Sequence, residues 1–296
     1  MVLDIIGMPI YYGCDTLGAD LAYDYLNNRD IESKFKKHEV INKGKIYINK
    51  NVDKHKNDKK IKYIDEIMNS SKLLYNEVSD SLENGNLPLV IGGDHSTSIG
   101  SISAVLDYYK GDVAVIWIDA HTDIHTNMTT PSGNVHGMPI AVCMGLCDER
   151  FKIGKYKLNN ENIIYVGIRN YEQEEMNYIK SNNIKVFTDK DVSGIGIKGI
   201  IENISKNIKT KNIHISFDVD SFNEKEFKSV NVAEKKIYSS EGGLSINDGI
   251  YLLKYLLCNF NVSSMDIVEY NPLLDDSGDI ETVEGILETI DTFLIK

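Results

Sequence analysis

Asp119, His121 and Asp123 stand two residues apart in the run Asp119-Ala120-His121-Thr122-Asp123, a spacing that points all three side chains the same way from an extended chain. Asp218 and Asp220 repeat the spacing with two carboxylates, and His95 lies in a third polar segment, Gly92-Gly93-Asp94-His95-Ser96. Like charges buried this close repel strongly, so something positive must lie among them. Four carboxylates and two imidazoles are too many ligands for one tetrahedral zinc, and no thiolate joins them. Oxygen-rich ligation with some imidazole suits manganese, with iron, cobalt and nickel as competitors. Carboxylates able to bridge favour two ions, about 3.5–4 Å apart, that share a hydroxide nucleophile.

Each of these segments, and a fourth at Glu269-Tyr270-Asn271-Pro272, follows a short apolar or β-branched run. The expected strands are Leu3–Gly7, Leu89–Gly92, Val113–Ile118, Ile163–Ile168, Lys185–Phe187, Ile213–Phe217 and Met265–Val268. Several are apolar at consecutive positions, as strands covered on both faces are. Helical spacing separates them: Ile67, Leu74, Val78 and Leu82; Ile246, Ile250, Leu253 and Leu257, opened by Ser245 with Asp248 three residues on; and Val283, Leu287, Ile290 and Leu294. This alternation predicts an α/β fold, a mostly parallel central sheet with helices on both faces, whose ligands gather at the carboxyl ends of the strands.

The composition narrows the function. The 296 residues carry 44 acidic and 32 basic side chains, a formal charge of -12, which disfavours nucleic acid as a partner. The longest apolar runs, such as Val113–Ile118, are too short to span a bilayer, and the first residues lack a basic signal-peptide start, so a cytoplasmic protein is expected. The four cysteines, Cys14, Cys143, Cys147 and Cys258, form no zinc or disulfide pattern and are expected to be reduced. No linker or repeat divides the chain, and the polar stretch Lys50–Lys62 reads as a solvated surface loop.

In combination these segments resemble the arginase–agmatinase (ureohydrolase) family, whose signatures are GGDHS, DAHxD followed by SGNxHG, and SxDxD. Here they read Gly92–Ser96, Asp119–Asp123, Ser132–Pro139 and Ser216–Asp220. Ile5–Pro9 with Gly13 and Gly18, Gly167–Arg169 and Gly194–Gly196 also look like that family, and the SGNxHGMP and GIG stretches lean towards arginases. The resemblance implies a three-layer, arginase-like fold, one catalytic domain over residues 1–296, and two Mn2+ per chain. One ion would be held by His95, Asp119, Asp123 and Asp218, the other by His121, Asp119, Asp218 and Asp220, and a homotrimer or homohexamer is the implied assembly. The implied reaction is hydrolysis of a guanidino substrate, most directly L-arginine to L-ornithine and urea. Because a guanidinium carbon is a poor electrophile, the water must arrive as hydroxide; Asp123 can orient it, Glu269 would anchor the guanidinium, and His136 matches the proton shuttle. Asp94 reads as a group that orients His95 rather than as a ligand.

Three departures from the family pattern concern the substrate. His125 stands where arginases carry an asparagine that meets the α-carboxylate. Glu172 replaces an aspartate that meets the α-amino group, although Glu175 matches a family acid. The segment Ser221–Glu241 is longer, lysine- and glutamate-rich and free of proline. Ser132, Asn134 and His125 would supply donors for a carboxylate, and Glu172 an acceptor for an ammonium. Another guanidino compound, agmatine or a guanidino acid, is the alternative substrate, and a metal-binding family member with weak catalysis is the alternative class. His38, His55 and His214 have no carboxylate partner in sequence and receive no role.

Overall fold

The structure, a computed structural model, describes residues 1–49, 52–55, 58–230, 242–275 and 278–294. Its centre is one eight-stranded sheet made of β1 (Val2–Met8), β2 (Glu39–Lys45), β3 (Leu87–Gly92), β4 (Ala114–Ile118), β5 (Ile163–Ile168), β6 (Lys185–Thr188), β7 (Asn212–Asp218) and β8 (Asn261–Val268). Every pairing is parallel, and the spatial order is β2-β1-β3-β8-β7-β4-β5-β6. All seven expected strands are present. The eighth, β2, was not expected, because Glu39-Val40-Ile41-Asn42-Lys43-Gly44-Lys45 lacks an apolar run. It lies at an edge, where one side needs no covering strand and charged side chains discourage further pairing.

Helices cover both faces. The strand side chains alternate between two core layers: Ile116 and Ile118 of β4 pack with α1 (Ala22–Asn28), α6 (Asp189–Asn207), α7 (Ile246–Asn259) and α8 (Asp279–Phe293). Val115 and Trp117 of the same strand pack with α2 (Ile64–Glu83), α3 (Ser98–Tyr108), α4 (Pro139–Cys143) and α5 (Gln173–Ser181). The helix-spaced residues read from the sequence are these inward faces: Ile67, Leu74, Val78 and Leu82 of α2 are buried, as are Val283, Leu287 and Ile290 of α8. Ser245 caps α7 by accepting from the Asp248 N–H at 3.0 Å. No helix among the described residues is long and apolar enough to cross a membrane, and the four cysteines are free thiols.

The loops beyond β1 and β3 are locked together, and this lock places His95. A Cβ on Gly93 would come within 1.8 Å of the Ile10 carbonyl oxygen, an approach only glycine permits. Asp94 donates its N–H to that same carbonyl at 2.9 Å. The fully buried Asp94 carboxylate accepts from Gly13 N–H at 2.7 Å, Cys14 N–H at 3.2 Å and Ser96 N–H at 2.9 Å, and also from the Ser96 hydroxyl. It caps the turn that starts at His95 and contributes no ligand atom to the groups around that imidazole. Removing it would strand several buried donors. Asp94→Ala should therefore lose about 3 kcal/mol of stability, the scale for unsatisfied buried donors and lost charged hydrogen bonds, read as a lowered urea midpoint at unchanged slope. A midpoint equal to that of the wild type would show that the lock carries no load.

Candidate metal centre

The sheet order gathers what the sequence scatters. β3, β8, β7 and β4 are neighbours, and His95, Glu269, Asp218 and Asp119 sit at or just beyond their carboxyl ends. Around the His95 Nδ1 lie Asp119 Oδ2 at 2.9 Å, Asp218 Oδ2 at 3.0 Å and Asp123 Oδ2 at 3.4 Å. His121 Nδ1 lies 3.0 Å from Asp220 Oδ2 and 3.4 Å from Asp119 Oδ1. The ligand atoms thus form two groups, His95–Asp119–Asp218 and Asp119–His121–Asp220, with Asp119 common to both.

The chain does not reach this arrangement by simple alternation. Asp119 and Ala120 form a bend, His121 makes an isolated bridge with Asn170, and Asp123 takes a left-handed backbone at φ 47°. That turn redirects the chain, so His125 does not continue towards the metal ligands. The loop instead rests on its neighbour: Arg169 and Asn170 both donate N–H groups to the Ala120 carbonyl at 2.9 Å. Beyond β7, Asp218 and Asp220 are separated by a tight turn in which Asp220 N–H donates to Asp218 Oδ1 at 2.7 Å. Arg169 holds that turn by donating to the Asp220 carbonyl at 2.6 Å. Glu269 is also left-handed, at φ 65°, a conformation that costs a non-glycine residue energy and here aims its carboxylate into the site.

Electrostatics test whether this donor set fits a cation. Burial pushes the Asp123 carboxyl well above its usual range, with repulsion from Asp119 adding to it, and burial with Asp220 and Asp119 does the same to Asp218. Burial opposes ionisation of Asp220 too, but His121 and Arg169 overcome it and hold that carboxyl below its usual range. Burial disfavours a charged His95, yet Asp119, Asp123 and Glu269 outweigh it and raise its pKa. His95 Nδ1 and Asp119 Oδ2 are both buried, face each other at 2.9 Å, and make no hydrogen bond of acceptable geometry. A lone pair and carboxylate oxygens converging on one point are what a divalent cation requires, so the residues fit a metal.

The two groups form the floor of a cleft of about 340 Å³. Of the site residues expected from sequence, His95, His121, Asp123, Asp218, Asp220, His136, Glu269, His125, Ser132, Asn134 and Glu172 line it, while Asp119 is fully buried beneath. His136 Nδ1 lies 3.4 Å from Glu269 Oε1, and the same oxygen accepts the His95 N–H at 2.8 Å. Elsewhere in the lining, His125 Nε2 is 2.7 Å from Glu172 Oε2, and its Nδ1 is 3.2 Å from Thr129 Oγ1. Glu172 and Glu175 form the capping box of α5, and Thr122 donates to Glu175 at 2.6 Å. Burial, with Glu172 alongside, pushes the Glu175 carboxyl up to about 7. Ser132 Oγ accepts the Asn134 N–H at 3.1 Å.

Several contributors were not singled out from sequence. Trp117 stacks on His95 with ring centres 3.9 Å apart and planes 4° from parallel. Ser216 Oγ lies 2.9 Å from His95 Nε2; its place in the SxDxD signature was the available signal. Lys62 donates to Asn134 Oδ1 at 2.6 Å and lies 3.3 Å from Asp15, so the described part of the polar stretch Lys50–Lys62 includes a brace at the cleft rim rather than only a solvated loop. His214, given no role, has a carboxylate partner across the sheet in Asp266 at 3.2 Å, and His38 has one in Asp291 at 3.1 Å. Of the unusual Ser221–Glu241 segment, Val230 lines the cleft; residues 231–241 lie outside the described residues.

Comparison with known proteins agrees with this geometry. The sequence profile of the arginase family matches residues 3–290. An arginase of Staphylococcus aureus (strain COL) is 36% identical over 299 aligned positions, covering 98% of this chain and 96% of that protein. The crystal structure of Entamoeba histolytica arginase in complex with L-ornithine superposes with a TM-score of 0.89 at 28% identity, covering 98% of each chain. The native arginase of Bacillus caldovelox also superposes at 0.89, with 26% identity, covering 99% of this chain and 98% of that one. With a family match over almost its whole length and ligand groups where the family signatures fall, the chain belongs to the arginase family and is a hydrolytic amidinohydrolase.

Proposed function

We propose that this protein is a binuclear manganese arginase that converts L-arginine and water to L-ornithine and urea. The observation that carries the reading is the sharing of Asp119 by two ligand groups on the floor of a cleft whose wall carries His136 and Glu269. Two Mn2+ ions, held by His95, Asp119, Asp123 and Asp218 and by His121, Asp119, Asp218 and Asp220, would lower the pKa of water from about 15.7 towards neutrality and so supply hydroxide. Asp123 orients that nucleophile. Burial raises the pKa of Glu269 while His136 draws it down, so a guanidinium entering the cleft stabilises the carboxylate and is anchored by it. His136, its Nδ1 edge facing Glu269, delivers a proton to the amine nitrogen as it leaves the guanidinium carbon. We further infer a single catalytic domain, a cytoplasmic setting and a homotrimer or homohexamer, as the resemblance implies.

Metals and Glu269 act only on the guanidinium end, so selectivity rests with the far wall. Ser132, Asn134 and His125 would receive the α-carboxylate and Glu172 the α-ammonium. The L-ornithine bound to the Entamoeba histolytica enzyme carries both groups, which supports an amino-acid substrate here. The 2.7 Å contact between His125 and Glu172 favours one further reading. An amino-acid head must exchange with that pair, whereas a guanidino compound with a different head would use the wall differently, so agmatine or another guanidino acid is the second reading.

Three experiments test this. Chelation should abolish urea release and lower the melting temperature, and added Mn2+ should restore both, because a ligand bound only by the native state stabilises it; one tight zinc per chain in active protein would contradict the assignment. With arginine, agmatine and guanidino acids of different lengths as substrates, arginine should give the highest kcat/KM, since polar donors left unpaired penalise a substrate lacking the carboxylate; equal rates with agmatine would overturn the arginase reading and leave the metal chemistry standing. His136→Asn should keep its metal while kcat falls on the order of 10²–10⁴-fold, whereas Asp123→Ala should lose metal and rate together. Normal turnover by His136→Asn would assign the proton transfer to another group.

A further inference from the structure

Behind the metal centre a line of hydrogen bonds runs from His95 into the core. His95 Nε2 lies 2.9 Å from Ser216 Oγ, and Ser216 Oγ lies 2.9 Å from Ser98 Oγ. Ser98 Oγ donates to Asp266 Oδ2 at 2.8 Å, and Ser101 Oγ donates to the same oxygen at 2.8 Å. His214 Nε2 is 3.2 Å from that oxygen, and its Nδ1 faces Ser264 Oγ. All of these residues are fully buried or within 1% of it. The sheet register builds the line, since Ser216 pairs with Asp266 and His214 with Ser264 across β7 and β8, and α3 lays Ser98 and Ser101 against them.

The chemistry gives this line a direction. A carboxylate accepts hydrogen bonds and cannot donate. Ser98 must therefore spend its only proton on Asp266, and it can only accept from Ser216. Ser216 then has no proton left for His95 and must accept from it. The neutral imidazole, the form that can bind a metal, is left with its proton on Nε2 and a bare lone pair on Nδ1, the atom that faces Asp119, Asp123 and Asp218. Ionised Asp266 is what the surroundings favour: burial opposes the charge, but His214 and the Ser98 and Ser101 hydroxyls overcome it and lower the pKa. The other oxygen, Oδ1, is buried without a hydrogen-bond partner, so a proton placed there would find no acceptor.

We propose that Asp266, three hydrogen bonds away from the site, is a positioning residue that sets the tautomer of His95 and so presents Nδ1 as a ready metal ligand. This rests on the reading of His95 as a metal ligand. Asn at position 266 can donate as well as accept, which removes the direction from the line, and Ala at position 98 or 216 interrupts it.

Manganese dissociation constants of the full chain, measured on chelator-stripped protein by titration with Mn2+, test the proposal. Asp266→Asn, Ser98→Ala and Ser216→Ala should each weaken binding about 10–100-fold, the range for lost partners of metal-ligating histidines. Because the links act in series, Ser216→Ala/Asp266→Asn should bind no more weakly than Ser216→Ala alone. A purely structural contribution would instead make the losses add. If Asp266→Asn does not fold, the cycle is run with Ser98→Ala and Ser216→Ala. Wild-type protein that takes up no Mn2+ would overturn the metal reading and this inference with it. Wild-type binding, with undiminished affinity in the variants or with additive losses, would overturn this inference alone.

Discussion

Repulsion among Asp119, Asp123, Asp218, Asp220 and Glu269, crowded around His95 and His121 where four parallel strands end, is the constraint to which the rest of the structure answers. Water would screen such charges, but Asp119 and Asp218 are essentially sealed from solvent. The backbone offsets part of the cost. Asp119 Oδ1 accepts the His121 N–H at 2.6 Å, Asp218 the Asp220 N–H, and Glu269 the His95 N–H. What remains is a convergence of lone pairs that suits a cation and that apolar packing could not balance.

Because the ligands must be held against that repulsion, the loops carrying them are tied to one another and not only to their own strands. Asp94 joins the turn after β3 to the loop after β1, and Arg169 joins the loop after β5 to the turn after β7. Trp117 stacks flat on His95 and limits its rotation, while Ser216 approaches the far edge of the ring. The strained backbones at Asp123 and Glu269 are tolerated because these ties over-determine them. Rigidity of this kind keeps bond-making groups in place before substrate arrives.

Two further groups of residues line the cleft beside the candidate ligands. His136 and Glu269 are continuous with the candidate metal ligands through the His95 N–H, so in the proposed reaction their placement is tied to ligand geometry. The group of His125, Glu172 and Glu175 joins the loop after β4, which carries His125, to the start of α5, which carries both glutamates, and its members pair among themselves. The departures from the family pattern at His125 and Glu172 thus fall in a group separate from the two candidate ligand groups.

The sequence by itself indicated seven of the eight strands and supplied the candidate ligands. Apolar β-branched runs specify buried parallel strands because both faces are covered, and the carboxylate–imidazole signatures point to metal chemistry because buried like charges call for a positive partner. It did not reveal β2, whose polar composition suits a sheet edge and leaves no apolar signal. It placed Asp119, His121 and Asp123 together for a reason the structure replaces, a left-handed turn at Asp123 instead of continuous extension. Only the tertiary structure decided that β3, β8, β7 and β4 lie side by side, that Lys62 braces Asn134, that His125 meets Glu172, and that Asp266 and His214 stand behind His95. Each of these joins residues far apart in the chain, and local patterning records which way a side chain faces but not which distant strand or loop it will face.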